Sequence, residues 1–218
     1  MAVLAIDTSA AVAVSLCDDE GSPLAARSVD SGRQHAELLA PMIREVLVEA
    51  GLEPADLSAV VVGTGPAPFT GLRAGLVTAR VFARAREIPV YGVSSLDALA
   101  AASGVEGEVL AVADARRKEV YAARYRVEGG AVELLTGPLV DRPAELARLA
   151  EGAVVVGRGA SLYAETFGEV GGPELPDPAV LARLAVERAR RGVAQPSEPL
   201  YLRRPDAVPA AGRKRASG

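Results

Sequence analysis

The segment Gly63–Gly75 joins an apolar run to a helical run along a path that few backbones can follow. It contains four glycines and two prolines between Ala59–Val62 and a helix-compatible run that continues to about Arg86. Glycine opens conformations that other residues avoid, and proline removes alternatives. The sequence therefore predicts a rigid loop between a strand and a helix. Such a loop either connects the two elements or binds an anion through its backbone N–H groups.

Neither common nucleotide-binding loop matches this segment. A P-loop requires a glycine five residues after Gly65, followed by Lys and Ser or Thr, but Thr70 stands there. The dinucleotide fingerprint requires a third glycine where this chain has Pro68. Binding through either motif is therefore not expected.

Composition excludes several classes of protein. The net charge of −4 gives no overall basic field for nucleic acid, and the 50% hydrophobic content is typical of a globular chain. The single cysteine, Cys17, excludes an internal disulfide and a zinc site built from several cysteines, and its apolar surroundings predict a buried residue. The sequence shows neither a spanning apolar run nor a signal-peptide pattern, so we expect a cytoplasmic protein with no contact to a membrane.

Hydrophobic periodicity predicts an α/β protein in which one order of elements occurs twice. Three strands, a helix, a strand and a helix recur on either side of a hinge at about residues 103–107, which suggests two lobes of one type, the second abbreviated. We expect an N-terminal lobe over residues 1–102 and a C-terminal lobe over residues 103–218. The predicted strands cover residues 3–6, 12–17, 24–29, 60–62, 90–93, 109–113, 120–125, 132–135 and 153–156. The predicted helices cover residues 35–50, 70–86, 96–102, 143–150 and 178–191.

The helices predicted at residues 35–50 and 70–86 have broad apolar surfaces. A surface helix needs an apolar stripe on one side only. Two interpretations remain open: both helices flank a central sheet, or together they also present a face to another subunit. An exposed pair of this kind would also favour a symmetric dimer of the chain.

Few residues suggest chemistry. Asp7, Thr8 and Ser9 end the first strand and could hold a nucleotide-bound Mg²⁺, with Gly65 as a further contact, or they could complete a turn. His35 is the only histidine, and the sequence has no Gly-x-Ser-x-Gly turn that would present a serine nucleophile beside it. We therefore expect His35 only to begin its helix.

Two charged segments are predicted to be solvated. The charges of Asp114–Tyr121 belong to a hairpin turn, although a partner contact is the alternative. The run Arg213–Arg215 lies in a tail whose composition predicts disorder, although it could touch RNA phosphates. The 4% aromatic content argues against a base-stacking platform.

Segments spread over nearly the whole chain resemble the bacterial TsaB (YeaZ) family. The Phe-Thr-Gly-Leu-Arg sequence at residues 69–73 is the most specific of them. The others are Val3–Ser9, His35–Ile43, Gly65–Pro68, Gly92–Asp97, Asp114–Tyr121 and Pro199–Ala207. The sequence departs from the family pattern at Ala67, where Gly is usual, and at Pro68, where many members have Ser.

The resemblance implies two ribonuclease-H-like lobes of the actin/Hsp70/sugar-kinase-like fold. It also implies a complex with the catalytic paralogue TsaD and the ATPase TsaE, which transfers threonylcarbamoyl from an adenylate onto the adenosine beside the anticodon of tRNA. TsaD-like proteins carry a His-x-x-x-His metal pair, and here Leu39 stands where the second histidine would be.

By this resemblance the chain would be a non-catalytic scaffold with no cofactor of its own, whose partners use ATP and a metal ion, and it would meet tRNA only through the complex. The two N-terminal helices would form the TsaD-binding face. The side chains predicted for that face are His35, Leu38, Leu39, Met42, Leu72, Arg73, Leu76, Ala79 and Arg80. The competing hypotheses are a nucleotide-dependent enzyme using Asp7, Thr8 and the 63–75 loop, and a peptidase, for which the lone histidine is a poor basis.

Overall fold

Two β-sheets, one from each half of the chain, form the centre of the protein. The computed structural model describes residues 2–30 and 36–203, together with the backbone but not the side chain of His35. The first sheet has five strands in the order β3-β2-β1-β4-β5. Its strands are β1 (Ala2–Asp7), β2 (Val12–Cys17), β3 (Pro23–Val29), β4 (Leu57–Gly63) and β5 (Val90–Val93).

The pairing of the first sheet is mixed. The strand β2 runs antiparallel to both β1 and β3, while β1, β4 and β5 are parallel to one another. Every residue of β1 is buried. Alternation explains this burial, because Leu4 and Ile6 contribute to one apolar cluster and Val3 and Ala5 to another on the opposite face.

Helices cover both faces of the first sheet. The helices α1 (His35–Ala50) and α2 (Phe69–Arg86) pack on one face, with Val46 and Leu72 fully buried among its core residues. On the other face, β2 contributes Cys17, which is buried as predicted. Burial raises the pKa of its thiol to about 11.

The second sheet has four strands in the order β8-β7-β6-β9. They are β6 (Gly107–Asp114), β7 (Val120–Glu128), β8 (Ala131–Asp141) and β9 (Val154–Val156). The remaining helices are α3 (Ser95–Ala101), α4 (Pro143–Leu146), α5 (Arg158–Leu162), α6 (Ala164–Phe167) and α7 (Pro178–Arg190), and 3₁₀ turns span Pro54–Asp56 and Ala147–Ala150. The predicted order of three strands, helix, strand and helix is thus present in both halves, and the α/β class with two lobes is confirmed.

The two halves exchange a helix each. The helix α3 packs against the second sheet through Leu96 and Leu99, although its sequence belongs to the first half. The helix α7 packs against the first sheet through Leu181 and Leu184, although it lies near the end of the described chain. A division at residue 103 therefore separates the two sheets but not the helices that cover them.

A hydrogen-bonded group ties the lobes together where these helices cross. The Tyr125 hydroxyl on β7 donates to Asp97 Oδ1 of α3 over 2.8 Å, and Arg188 Nη2 of α7 donates to Asp97 Oδ2 over 2.7 Å. Burial, followed by the neighbouring Asp97 charge, raises the pKa of Tyr125 well above its ordinary value, so the phenol stays a donor.

Within the described residues, no helix is long and apolar enough to cross a bilayer.

Candidate functional site

Asp7, at the end of β1, is a buried carboxylate whose oxygens are both engaged by the chain itself. Its Oδ1 accepts hydrogen bonds from the Ser9 backbone N–H at 2.8 Å and from the Ser9 hydroxyl at 2.6 Å. Its Oδ2 accepts one from the Ser95 hydroxyl at 2.6 Å. Burial raises the pKa of Asp7, and the bonds from Ser9 and Ser95 oppose that shift.

Thr8 and the neighbouring glycines set the close approach of α2 to the strand end. The Thr8 hydroxyl donates to the Gly71 carbonyl over 2.8 Å. A Cβ added at Gly75 would lie 2.3 Å from Thr8 Oγ1, and one added at Gly63 would lie 2.0 Å from Asp7 Oδ2. Gly75 therefore allows α2 to approach the end of β1, and Gly63 leaves room for the Asp7 side chain beside β4.

The loop before α2 is likewise bound to its own chain. Gly65 has φ +88° and is joined to Pro66 by a cis peptide bond. Its carbonyl accepts hydrogen bonds from the Ser95 backbone N–H at 2.8 Å and from the Ser94 hydroxyl at 3.2 Å. The loop thus fixes the start of α3, which agrees with its interpretation as a rigid connector.

The structure brings the candidates Asp7, Thr8, Ser9 and Gly65 to one end of the first sheet, but their polar groups already form hydrogen bonds within the chain. Within residues 2–30 and 36–203, no cluster of three or more His, Cys, Asp or Glu side chains is placed to hold a metal ion. Both carboxylate oxygens of Asp7 already accept hydrogen bonds, as is usual for a buried polar group that stabilises the fold.

A small cavity of about 180 Å³ lies between the lobes beside this cluster. Ser9 and Ser95 line it together with charged residues. Arg158 is paired with Asp30 at 2.9 Å and lies 3.9 Å from Glu174. Arg158 of the cavity wall thus forms an ion pair with Asp30, which joins the two halves of the chain beside the cavity.

The side chains predicted to contact a partner fall into distinct environments. Leu39, Met42, Leu72, Leu76 and Ala79 are buried in the core against the first sheet. The prediction that these side chains meet a partner is wrong for this structure, because α1 and α2 turn them toward their own sheet. Leu38 is half-buried against the same core, and the side chain of His35 lies outside the described residues.

Arg73 and Arg80 are exposed, yet both bind the C-terminal segment of the same chain. Arg73 Nε donates to the Tyr201 hydroxyl over 2.9 Å. Arg80 donates from Nε to the Ser197 hydroxyl at 3.0 Å and from Nη2 to the Ser197 carbonyl at 2.6 Å. Two arginines on the polar side of α2 thus bind the C-terminal segment of their own chain.

The solvent-facing sides of α1 and α2 form an apolar groove that the sequence interpretation missed. Val48, Val77 and Val81 are 75%, 59% and 63% exposed. The groove has a volume of about 920 Å³, and its other lining includes Ile43, Leu47, Leu52, Phe82 and Ala85. The available signal was the pair Val77 and Val81, four residues apart, beside the buried stripe of Leu72, Leu76 and Ala79.

Comparisons with known proteins agree on one family. The family model described as TsaD, tRNA N6-adenosine threonylcarbamoyltransferase, matches residues 29–171. An uncharacterised protein of Mycobacterium tuberculosis is 43% identical, and the alignment covers 96% of this chain and 95% of the relative. The Bacillus subtilis protein named tRNA threonylcarbamoyladenosine biosynthesis protein TsaB is 34% identical over 61% of this chain and 58% of its own length.

Solved structures give the same family over more than nine tenths of the chain. The structure of YeaZ from Pseudomonas aeruginosa matches with a TM-score of 0.76 and 31% identity, covering 92% of this chain and 99% of that one. A second Pseudomonas aeruginosa structure, described as similar to peptidase YeaZ, matches with a TM-score of 0.81, also at 31% identity, covering 93% of this chain and 99% of that one. The chain therefore belongs to the TsaB family, also called YeaZ.

Proposed function

We propose that this chain acts in the formation of threonylcarbamoyladenosine in tRNA as a non-catalytic scaffold subunit. In this proposal it binds TsaD through the groove between α1 and α2, and it works with TsaD and TsaE in transferring threonylcarbamoyl to the adenosine beside the anticodon. ATP and the metal ion belong to those partners. The names of the TsaB relatives support the pathway.

The observation that carries the proposal is the exposed apolar groove. The groove exposes the apolar side chains of Val48, Val77 and Val81 to water, which is unfavourable. Full burial of one valine side chain is favourable by about 1.5–3 kcal/mol. A partner that covers the groove recovers part of that free energy. The strand end, in contrast, offers a substrate few free polar groups, because Asp7 and Thr8 are bonded within the chain.

TsaD is a reasonable occupant because this chain is itself similar to TsaD. The matching part of the family model, residues 29–171, includes both α1 and α2. Two related folds can pair their corresponding helices about an approximate two-fold axis, so that each subunit offers the same patch to the other. The same geometry permits a homodimer of the chain when TsaD is absent.

Substitution of the groove valines tests the proposal. The double variant Val77→Glu/Val81→Glu places two charges on the exposed face of α2 and leaves the core untouched. Affinity for the TsaD of the same organism, measured by co-purification and titration calorimetry, is expected to fall at least about 100-fold, because desolvating a charge costs several kcal/mol. Circular dichroism should be unchanged.

The matched control introduces the same charges elsewhere. Leu134 and Val193 are 48% and 50% exposed and do not line the groove, so Leu134→Glu/Val193→Glu is expected to bind TsaD normally. Equal loss in both variants, or in neither, would contradict the groove as the TsaD-binding face.

Calorimetry of the isolated chain with ATP and Mg²⁺ addresses the competing nucleotide-dependent enzyme. We expect no saturable heat, because the Asp7 and Thr8 oxygens already have partners. Saturable binding with turnover that Asp7→Asn abolishes would favour the enzyme instead.

A further inference from the structure

The C-terminal segment 195–203, here called the strap, joins separate parts of the surface. The Gln195 carbonyl accepts a hydrogen bond from the Gly92 N–H at 3.0 Å, and the Leu200 N–H donates to the Thr64 carbonyl over 2.9 Å. A Cβ added at Gly92 would lie 2.2 Å from the Pro196 carbonyl oxygen, so the strap lies tight against β5. Its last residues then pass from the first lobe to the second.

Near its end the strap completes a cluster of two aromatic rings and an arginine. The rings of Phe69 and Tyr201 have centroids 4.7 Å apart at an interplanar angle of 35°. The Arg73 guanidinium lies 5.3 Å from the Phe69 centroid and 5.5 Å from that of Tyr201. Tyr201 is 41% exposed and Arg73 is exposed, so the cluster presents aromatic and guanidinium surface to solvent.

The turn between β6 and β7 carries only cations at its tip. Arg116, Arg117 and Lys118 are consecutive, exposed and all in the left-handed region, with φ of 62°, 56° and 61°. That conformation is unfavourable for residues other than glycine. Hydrogen bonds hold it in place, since Asp114 Oδ1 accepts from the Arg116 N–H at 2.8 Å and the Glu119 N–H donates to the Arg116 carbonyl over 3.1 Å.

The strap places the aromatic cluster beside this turn. Arg203 Nη1 donates to the Ala115 carbonyl over 3.3 Å, and the Arg203 guanidinium forms an ion pair with Glu119. Tyr201 is two residues away, and two extended residues span at most about 7 Å. The strap thus connects the ring cluster to the base of the cationic turn, and these neighbouring exposed groups make up one candidate surface.

The charge of this surface contrasts with that of the whole chain, whose net charge is −4. Its acidic residues, Asp114 and Glu119, stand at the base of the turn, where they pair with Arg116 and Arg203. The chain continues from Arg203 into residues 204–218, whose sequence includes the run Arg213–Arg215.

We propose that this surface, made of the 116–118 turn and the Phe69–Arg73–Tyr201 cluster, contacts RNA directly. Lysine and arginine neutralise backbone phosphates, while aromatic rings and guanidinium planes stack on unpaired bases. The inference rests on the proposed function, in which tRNA is the substrate, and it assigns to this subunit a share in holding a single-stranded loop of that RNA. A purely protein-binding surface is the main competing outcome.

Binding of an unmodified tRNA transcript by the complex of this chain with TsaD tests the inference. Fluorescence anisotropy is measured over a series of salt concentrations. The variant Arg116→Gln/Arg117→Gln/Lys118→Gln is expected to weaken binding about tenfold or more. The slope of log affinity against log salt should become shallower by about 0.7 for each phosphate that the variant no longer neutralises.

Tyr201→Leu separates stacking from charge. It keeps an apolar side chain but removes the aromatic ring and the hydroxyl that Arg73 binds, so affinity is expected to fall about tenfold with little change in the salt slope. A shallower salt slope together with unchanged affinity at fixed salt would contradict the stacking role.

A matched control removes as much charge from other surfaces. Arg126→Gln/Arg148→Gln/Arg191→Gln changes exposed arginines on β7, in the 3₁₀ turn after α4 and at the end of α7. We expect its affinity for the transcript to lie within about twofold of the wild type, because these side chains lie outside the proposed surface. Equal weakening of the control and turn variants would overturn the inference, because it would show only a general effect of net charge.

The outcomes distinguish this inference from the proposed function. If the wild-type chain fails to form the TsaD complex, the proposed function fails, and the same transcript is titrated with the isolated chain to decide the RNA contact by the same comparison of variants. If the complex forms and the turn variant binds tRNA as the wild type does, only the RNA contact is overturned. Loss of TsaD from the turn variant would reassign the surface to protein binding.

Discussion

At the scale of single residues, the strand end shows how a pattern typical of chemistry can serve structure. Asp7, Thr8 and Ser9 have the side chains that a nucleotide-bound Mg²⁺ prefers. In the fold, Ser9 and Ser95 donate to Asp7, and Thr8 donates to Gly71. The turn between Asp7 and Ser9 could be predicted, but Ser95 and Gly71 are distant in the chain, so these two partners could not be predicted.

Asp7→Asn tests this structural role through pH. Because burial raises the pKa of Asp7 above its ordinary value of 3.8, the native state favours the protonated carboxyl. Its contribution to stability is full below pH 3.8 and is lost as the pH rises through the folded-state pKa. The variant cannot ionise, so in urea unfolding between about pH 3 and 7 its stability relative to the wild type should increase with pH. A constant difference would contradict the raised pKa.

Lys118→Gly tests whether the cationic turn is strained. Glycine adopts φ of 61° without a steric penalty, so the free energy of unfolding is expected to rise by about 1 kcal/mol in a urea titration. Lys118→Ala, which removes the same charge but keeps a Cβ, is the control and should leave stability nearly unchanged. A loss of stability in the glycine variant would show that the turn stores no strain.

At the scale of elements, periodicity located most helices and strands but gave the wrong face of α2. The helix carries two apolar stripes, and the buried one, Leu72, Leu76 and Ala79, was assigned to a partner. Periodicity shows that a stripe exists, whereas only the position of the sheet shows which stripe is covered. The short helices α5 and α6 were missed, because four or five residues carry no measurable period.

Neighbouring positions on α2 provide a test of this assignment. Leu76→Glu buries an unpaired charge in the core and is expected to destabilise the fold by at least about 3–5 kcal/mol. Val77→Glu, one residue further, points to solvent and should change stability by less than about 0.5 kcal/mol. Thermal unfolding followed by circular dichroism separates the two, and similar losses at both positions would contradict the described orientation of α2.

At the scale of the whole molecule, contacts between distant segments organise the protein. The repeated order of elements predicted two lobes, but the exchange of α3 and α7 between sheets has no local signature. The strap is equally non-local, since Arg73 and Tyr201 are separated by most of the chain. A period of two or 3.6 residues shows which side chains share a face of one strand or helix, but it does not predict contacts between distant segments of the chain.

Asp97→Ala tests the bond between the lobes. The substitution leaves the buried Tyr125 hydroxyl without its acceptor and Arg188 without its partner, so we expect a loss of about 2–4 kcal/mol in urea unfolding. Glu187→Ala is the control, because its ion pair with Arg191 is largely exposed and contributes less than about 1 kcal/mol. Equal effects of the two substitutions would show that Asp97 does not join the lobes.

Hydrogen–deuterium exchange of the chain with and without TsaD tests the central proposal most directly. Slower exchange on addition of TsaD is expected in residues 40–52 and 77–85, which line or border the groove, while the strand end at residues 7–9 stays unchanged. Protection confined to the cavity between the lobes, or no change in the groove helices at saturating TsaD, would contradict the account of this protein as a subunit held through α1 and α2.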